Sequence, residues 1–274
     1  MREAGVRPER ERLDQALVRR GLFPSRQRAA AAVLAGCVTV DGAVIHKPGH
    51  PVSPGAVLGA SEPRPFASRA GGKLAGALER FGVSVDGCVC LDAGASTGGF
   101  TDCLLQRGAA RVYAVDVGYG QLAWRLRSDP RVVVRERCNA RYLTEAEVPE
   151  AVDLVTADLS FISLGKVLPA LIARMRRDGP CDSIIPLIKP QFEAGPAQVG
   201  RGGVVRDRAV HLEVLLRVGE QCAALHRPLH NLMPSAVRGA DGNREFLALL
   251  RPGRAPVPLP VLAQRAVEEA WAEG

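Results

Sequence analysis

The sequence has few aromatic residues and lacks any long hydrophobic run. Aromatic residues make up 4% of the 274 residues and apolar residues make up 47%, a balance typical of a soluble α/β protein. No apolar run approaches the roughly twenty residues that span a bilayer, and the charged opening MREAGVRPERERLD lacks the apolar core of a signal peptide. We therefore expect a cytoplasmic protein that does not act on membranes.

Cysteines spaced as metal ligands are also absent. The seven cysteines form no CxxC pair and have no histidine nearby at ligand spacing, and their number is odd. Cysteines of this kind in a cytoplasmic protein are usually buried free thiols. We therefore expect neither disulfides nor a zinc or other metal site.

Lysine is scarce, although the chain is basic. Four lysines stand against 32 arginines, and the formal net charge is +7. Residues 1–60 hold nine basic and five acidic groups, so they contribute +4 of that charge. A basic surplus in a small N-terminal unit favours a polyanionic partner, and a merely solubilising surface is the alternative.

The first 60 residues predict a small unit of two helices followed by a hairpin. Apolar residues at helical spacing lie on both sides of Pro24 and Ser25, and Asp41-Gly42 is a typical hairpin turn after the strand VTV. Basic side chains gather around the turn between the helices, where guanidinium groups can meet phosphates. These are Arg19, Arg20, Arg26 and Arg28; a solvated helix face is the alternative.

A segment rich in Pro, Gly and Ser separates this unit from the rest of the chain. SEPRPFASRAGG has no apolar periodicity and predicts a linker. Beyond it, seven short strands alternate with helices, which predicts a mostly parallel, doubly wound sheet. The predicted organisation is a first domain at 1–60, a linker at 61–70, a second domain at 71–251, and a proline-rich tail with a short helix at 252–274.

The stretch LDAGASTGGFTD, residues 91–102, follows the first predicted strand of that sheet, where α/β proteins bind ligands. Its glycines let the backbone approach a ligand, and their spacing differs from the G-x-G-x-x-G of dinucleotide sites. Asp92 at the strand end favours a cationic ligand, and Asp116 at the end of the next strand is placed to accept hydrogen bonds from a ribose. The combination fits S-adenosylmethionine; a turn that serves structure alone is the alternative.

Four further charged residues fall near the same predicted edge of the sheet. Asp158 and Lys189 end strands, and Glu245 begins the last one. Lys73 opens the helix that leads into the domain. Charged groups that converge at strand ends can stabilise a charge that develops during a reaction, and ordinary surface ion pairs are the alternative.

Two parts of the chain resemble known families. RLD, GL, SR, G-x-V-x-V-D-G and KP in the first unit resemble the small RNA-binding domain named after ribosomal protein S-four. From Ser68 to about Leu250, the chain is similar to the FtsJ-like ribose methyltransferases, and the two units together resemble the TlyA family. The matching blocks are SRAGGKL, LDAGASTGGFTD, YAVDVGYGQL, ADLSFISL, LIKPQFEAG, GRGGVVRD and GADGNREFL.

The resemblance implies a Rossmann-like, seven-stranded, adenosylmethionine-dependent methyltransferase domain behind a small α+β RNA-binding domain. It implies methylation of the ribose 2′-hydroxyl of cytidine in ribosomal RNA of the small and large subunits. A Lys-Asp-Lys-Glu tetrad would carry the reaction, with its members at Lys73, Asp158, Lys189 and Glu245. We assign Lys189 to stabilise negative charge on the attacking oxygen, with Asp158 holding it in position.

The remaining predicted contacts follow from the same matches, and a monomer is expected. Cofactor contacts are predicted at Asp92, Gly94, Ser96, Thr97, Gly98, Gly99, Phe100, Asp116, Val117, Asn139 and Asp158. RNA contacts are predicted at Arg12, Arg19, Arg20, Arg26, Arg28 and Lys47.

Two other functions stay open at this point. A non-catalytic RNA-binding factor for ribosome assembly would keep the fold, and the complete tetrad argues against it. A membrane-active haemolysin is suggested only by an older label of the family, and the lack of a long apolar segment argues against that function.

Overall fold

A computed structural model of the chain describes residues 10–34, 36–61, 65–177, 179, 181–239 and 242–272. The chain divides into two compact units, Met1–Pro65 and Phe66–Gly274. Within the described ranges, no helix combines the length and the apolarity that crossing a membrane requires. The domain boundaries at 60, 70 and 251 stay predictions.

Two short helices form the core of the first unit. Helix α1 (Leu13–Arg19) precedes the turn that contains Pro24, and helix α2 (Arg26–Leu34) follows it. Leu17 and Val33 have no exposed surface, so the apolar spacing that predicts the helices also forms their contact. Both predicted helices are present.

Short strands complete the first unit. The hairpin turn at Asp41-Gly42 has positive φ at both residues, as a type I′ turn requires. The strands form one sheet of two and one of three. The sheets are β1 (Glu11–Arg12) with β4 (Pro51–Val52), and β3 (Ala43–Val44), β2 (Val38–Val40) and β5 (Leu58–Ala60) in that order.

A seven-stranded sheet forms the second unit, which confirms the predicted fold class. Six strands are parallel in direction and β12 runs antiparallel to both of its neighbours, and the order across the sheet is β11-β12-β10-β9-β6-β7-β8. The strands are β6 (Val89–Ala93), β7 (Arg111–Val115), β8 (Val132–Arg135), β9 (Leu154–Ala157), β10 (Ser183–Ile188), β11 (Leu229–Pro234) and β12 (Phe246–Leu250).

Helices cover both faces of this sheet, and the central strands are therefore buried on both sides. Helix α9 at the end of the chain packs against α8 and β11. The helices are α3 (Arg69–Phe81), α4 (Gly99–Gln106), α5 (Trp124–Arg127), α6 (Leu168–Ile172), α7 (Pro190–Glu193), α8 (Arg208–Ala224) and α9 (Leu259–Ala272), with 3₁₀ turns at Ala140–Tyr142, Leu164–Lys166 and Pro196–Gln198.

Candidate active site

A cavity of about 490 Å³ opens at the carboxyl ends of the parallel strands. This is the edge at which open α/β sheets bind ligands. Its wall combines glycine backbone, carboxylates and apolar side chains, and no lysine or arginine of the described residues lines it. The lining residues are Gly94, Ser96, Val115, Asp116, Val117, Gln121, Cys138, Asn139, Ala140, Asp158, Leu159, Ser160, Phe161, Ile162 and Val167.

The glycine loop between β6 and α4 forms one side of this cavity. Gly94 has φ +85°, and a Cβ there would lie 2.3 Å from the main-chain oxygen of Asp158. Gly98 has φ +93°, and a Cβ there would lie 2.3 Å from Leu126 Cδ1. Both positions therefore need glycine, because the backbone conformation is left-handed and neighbouring atoms occupy the space of a side chain.

A second, smaller cavity of about 90 Å³ also borders the glycine loop. Ser68, which caps α3, and Ala70 face the loop across it, together with Asp158. The predicted residues Thr97, Gly99 and Phe100 line this smaller cavity. Five of the six predicted cofactor residues of the loop thus line one or both cavities, and Gly98 lines neither. Gly94, Ser96 and Asp158 line both.

Asp92 lies beneath the loop and lines neither cavity. Its carboxyl group is fully buried and accepts hydrogen bonds from Thr101 Oγ1 at 2.7 Å and from Thr156 Oγ1 at 3.1 Å. Burial raises the pKa of Asp92 to about 7, and the neighbouring charge of Asp158 adds to this effect. Direct contact between Asp92 and a ligand stays a prediction; what the structure shows is an anchor that joins β6, α4 and β9.

Asp116 lines the larger cavity at the end of β7. Its Oδ2 accepts a hydrogen bond from the Ser96 amide at 2.8 Å, and its Oδ1 accepts one from the Gly118 amide at 2.7 Å. A carboxylate has about four acceptor positions, so lone pairs remain for a ligand. Asp116 also fixes the glycine loop to the segment after β7.

Asn139 and Val117 lie on the rim of the same cavity. Val117 is 68% exposed. The Asn139 side-chain oxygen accepts a hydrogen bond from the Arg141 amide at 3.0 Å, which leaves the Asn139 amide group as a donor at the cavity.

The four residues of the predicted tetrad form two ion pairs. Lys189 Nζ lies 2.7 Å from Asp158 Oδ1, at angles outside those of a hydrogen bond, and it donates a hydrogen bond to Ser160 Oγ at 3.0 Å. Lys73 Nζ donates a hydrogen bond to Glu245 Oε2 at 2.5 Å. Lys73 is 8% exposed and Glu245 is 3% exposed, so each charge of this pair depends on the other.

The sheet register brings the two pairs to the same edge. Ile188 of β10 is paired with Phe246 of β12, so Lys189 and Glu245 are the next residues at the end of this ladder. Gln191 Nε2 donates a hydrogen bond to Glu245 Oε1 at 3.4 Å and links the segment after Lys189 to the second pair. The arrangement can hold a hydroxyl group beside a fixed ammonium group.

Several site residues were missed by sequence reasoning. Thr101 and Thr156 bind Asp92, Ser160 binds Lys189, and Gln191 binds Glu245. Thr101, Ser160 and Gln191 lie inside the quoted sequence blocks, so a polar residue within a matching block was an available signal. Thr156 had no such signal, because it is in the middle of an apolar strand.

The predicted RNA-binding side chains of the first unit differ in their partners. Arg12 donates hydrogen bonds to both oxygens of Asp14, and Arg26 donates one to Oδ2 of the same carboxylate. Arg19 pairs with Glu11, and Arg20 binds main-chain oxygens near residue 54. The exposed side chains of Arg28 and Lys47 have no ion pair or side-chain hydrogen bond with any residue that the structure describes.

Within the described residues, no group of three or more His, Cys, Asp or Glu side chains is arranged to hold a metal ion. The seven cysteines are free thiols, and all except Cys138 are buried.

Comparison with known proteins identifies the family. The FtsJ-like methyltransferase profile matches residues 66–251, and the S4 domain profile matches residues 11–58. The chain is 52% identical over 244 residues to the 16S/23S rRNA (cytidine-2′-O)-methyltransferase TlyA of Mycobacterium tuberculosis, over 88% of this chain and 90% of that protein. It is 35% identical to the 23S rRNA (cytidine-2′-O)-methyltransferase TlyA of Campylobacter jejuni, over 66% and 69% of the two chains.

A solved structure from Streptococcus thermophilus, which carries a hemolysin name, superposes with a TM-score of 0.73 at 38% identity, over 97% of this chain and 98% of that one. The predicted resemblance is confirmed, and the chain belongs to the TlyA family of FtsJ-like methyltransferases.

Proposed function

We propose that this protein transfers a methyl group from S-adenosylmethionine to the ribose 2′-hydroxyl of a cytidine in ribosomal RNA. The observation that carries the proposal is the Lys189–Asp158 ion pair at 2.7 Å, with Asp158 on the wall of the cavity and the Lys73–Glu245 pair at the same edge. The names of the relatives in M. tuberculosis and C. jejuni support cytidine and ribosomal RNA as the substrate class.

The cavity fits the proposed cofactor. Its volume of about 490 Å³ lies in the range of small-molecule sites. The wall offers the carboxylates of Asp116 and Asp158 and no basic side chain of the described residues, which favours a ligand that carries an ammonium group and a sulfonium. Asp116 and Asn139 would hold the ribose and the adenine edge, and the glycine loop would approach the ligand through its backbone.

The chain's own residues would orient the hydroxyl and stabilise its charge. Bound adenosylmethionine supplies an electrophilic methyl group. A ribose hydroxyl is a weak acid, so the Lys189 ammonium group lowers the barrier by stabilising negative charge on the oxygen, by about 3 kcal/mol for one fixed donor. Asp158 and Ser160 hold Lys189, and the Lys73–Glu245 pair orients the ribose beside it.

The first unit would supply affinity for structured RNA. S4-type surfaces and A-form RNA meet through shape and phosphate contacts, and the exposed Arg28 and Lys47 are suitable donors. We propose ribosomal RNA of both subunits as substrate and a monomer as the active form. An rRNA substrate also implies action in the cytoplasm.

Methyl transfer to separated ribosomal subunits tests this function. Wild-type protein with methyl-labelled adenosylmethionine should label RNA at a 2′-O-methylated cytidine in each subunit, and Lys189→Ala should abolish the label while the fold and cofactor binding persist. Lys166→Ala, which removes an exposed lysine of the same unit, is the matched control. RNA binding without methyl transfer by the wild type would instead support the assembly-factor alternative.

A further inference from the structure

Two short segments of the second unit carry the Asp158–Lys189 pair. The first, residues 158–164, follows β9, and the second, residues 189–193, follows β10 and contains α7. Asp158 and Ser160 contact Lys189 at the near end of these segments. The paired strands β9 and β10 bring the main chains of Asp158 and Lys189 together, and the course of the two segments beyond them depends on contacts outside the sheet.

Glu193 joins the far ends of the same two segments. Its Oε1 accepts a hydrogen bond from the Leu164 amide at 2.7 Å, and its Oε2 accepts one from Ser163 Oγ at 2.8 Å. Both oxygens of one carboxylate therefore bind the segment that begins with Asp158. Leu164 is buried, so its amide would lose a partner if Glu193 were removed.

The main chain of Glu193 is itself fixed. Arg217 of α8 donates a hydrogen bond to the Glu193 carbonyl oxygen at 2.6 Å. Between the two ends, the Phe161 and Phe192 rings pack with centroids 4.9 Å apart. The contacts form a clasp, defined here as segments 158–164 and 189–193 with the contacts between them.

Burial affects the Glu193 carboxyl group as it does other enclosed acids. Burial raises the pKa of Glu193, and the hydrogen bonds from Leu164 and Ser163 partly oppose this rise. Partial burial of this carboxylate costs free energy, and its two hydrogen bonds offset that cost. A glutamate on the surface at the end of a four-residue helix would carry no such cost.

We propose that Glu193 is a positioning residue for the methyl transfer, which closes the clasp and so fixes Lys189 against Asp158. The inference rests on the proposed function, in which Lys189 stabilises the attacking oxygen. Because Glu193 acts through Lys189, its loss affects the rate of the chemical step more than the binding of the cofactor, whose cavity the first segment also lines. A displacement of about 1 Å at a reacting group is sufficient to slow an enzyme about 100-fold.

The test compares Glu193→Ala and Glu193→Gln with the wild type and with Glu150→Ala. Glu150 is a matched control, because it also accepts two hydrogen bonds, from Arg111 and Tyr113, at the opposite edge of the sheet. Three quantities are measured in the full chain: kcat for methyl transfer to ribosomal subunits, the Kd for adenosylmethionine, and the rate at which acetic anhydride modifies Lys189, followed by mass spectrometry.

Glu193→Ala should lower kcat by about 10- to 100-fold and change the Kd for adenosylmethionine far less. It should also raise the acetylation rate of Lys189. Glu193→Gln should restore both, since its oxygen can accept from Leu164 and its amide can donate to Ser163 Oγ. Glu150→Ala should resemble the wild type in both measurements.

The proposal is overturned if Glu193→Ala changes kcat and Lys189 acetylation no more than Glu150→Ala does, or if Glu193→Gln is as impaired as Glu193→Ala. If the wild type labels no ribosomal RNA, the proposed function fails. The acetylation rates then still decide whether Glu193 holds Lys189 in place.

Discussion

Asp92 has a carboxyl group with no exposed surface and a pKa near 7. In the unfolded chain the same group ionises near pH 4. Between about pH 4 and 7 the unfolded state loses this proton while the folded state keeps it, so rising pH lowers the stability of the fold across that window. Above pH 7 the group is ionised in both states and the loss is complete.

Asp92→Asn should therefore stabilise the protein increasingly as the pH rises from 4 to 7, by an amount on the order of a few kcal/mol at the upper end. An asparagine can still accept a hydrogen bond from Thr101 and carries no charge to desolvate. Thermal unfolding of both proteins across this pH range measures the difference. Asp86→Asn, which changes an exposed carboxyl, should show no such trend, and a Tm difference that is constant with pH would contradict the expectation.

At the scale of single residues, the resemblance predicted both ion pairs of the tetrad and missed the neutral side chains that hold them. Asp158 and Lys189 were expected together because both end neighbouring strands. The buried hydrogen bond between Asp92 and Thr156 was not predictable, because the two residues are 64 positions apart in the sequence. The buried Lys73–Glu245 contact joins residues 172 positions apart, and only the folded sheet and α3 bring them into contact.

Among the elements, the glycine loop is the one in which particular positions require a particular residue, glycine. Gly94→Ala would place a methyl group 2.3 Å from the Asp158 carbonyl oxygen, in addition to the cost of φ +85°. Gly82→Ala is a matched control, because Gly82 also has positive φ, at +62°, and a Cβ there meets no atom within 4 Å. Each variant should lose about 1 kcal/mol of stability from its backbone conformation.

Only Gly94→Ala should also displace Asp158, which is the ion-pair partner of Lys189. We expect methyl transfer to fall by about 100-fold in Gly94→Ala and to stay near wild type in Gly82→Ala. Single-turnover rates, compared with Tm values from the same preparations, separate the two effects. Equal rates in the two variants would show that the main chain of Asp158 shifts to accommodate the methyl group without an effect on the reaction.

Helix α9 is an element whose existence was predicted and whose packing was not. The sequence predicted a short amphipathic helix in the tail, and its partners α8 and β11 lie earlier in the chain. Val267 is 1% exposed whereas Val261 on the same helix is 39% exposed. The apolar face therefore completes the core of the second unit.

Val267→Ala should lower the free energy of unfolding by about 2 kcal/mol, since it removes buried methyl groups and leaves a cavity. Val261→Ala should have an effect near zero, because the side chain is partly in water. Denaturant unfolding of both variants measures this contrast. Similar values for the two would mean that α9 contributes little to the stability of the unit.

For the molecule as a whole, the uneven charge of the chain favours a polyanionic partner for the first unit, and the family resemblance implies that this partner is RNA. The structure divides the basic residues of this unit into two groups. Arg12 and Arg26 bind the buried Asp14. Hydrogen bonds from Arg12 and then Arg26 lower the pKa of Asp14 to about 2, so this carboxylate stabilises the fold above about pH 4 and loses that contribution as the pH falls towards 2. Composition cannot distinguish such arginines from free ones, because the distinction depends on whether a buried acid lies beside them.

Arg28→Ala and Lys47→Ala should therefore weaken RNA binding without changing Tm, since both side chains are exposed and lack a partner among the described residues. If each contacts one phosphate, each substitution should also reduce the slope of log affinity against log salt by about 1. Arg12→Ala should instead lower Tm at neutral pH, and this loss should disappear on acidification towards pH 2, because it leaves a buried carboxylate without its main partner. Filter binding to ribosomal subunits over a series of salt concentrations, with thermal unfolding of the same proteins, measures both effects. If none of these variants reduces the salt slope, the RNA contact of the first unit lies on another surface.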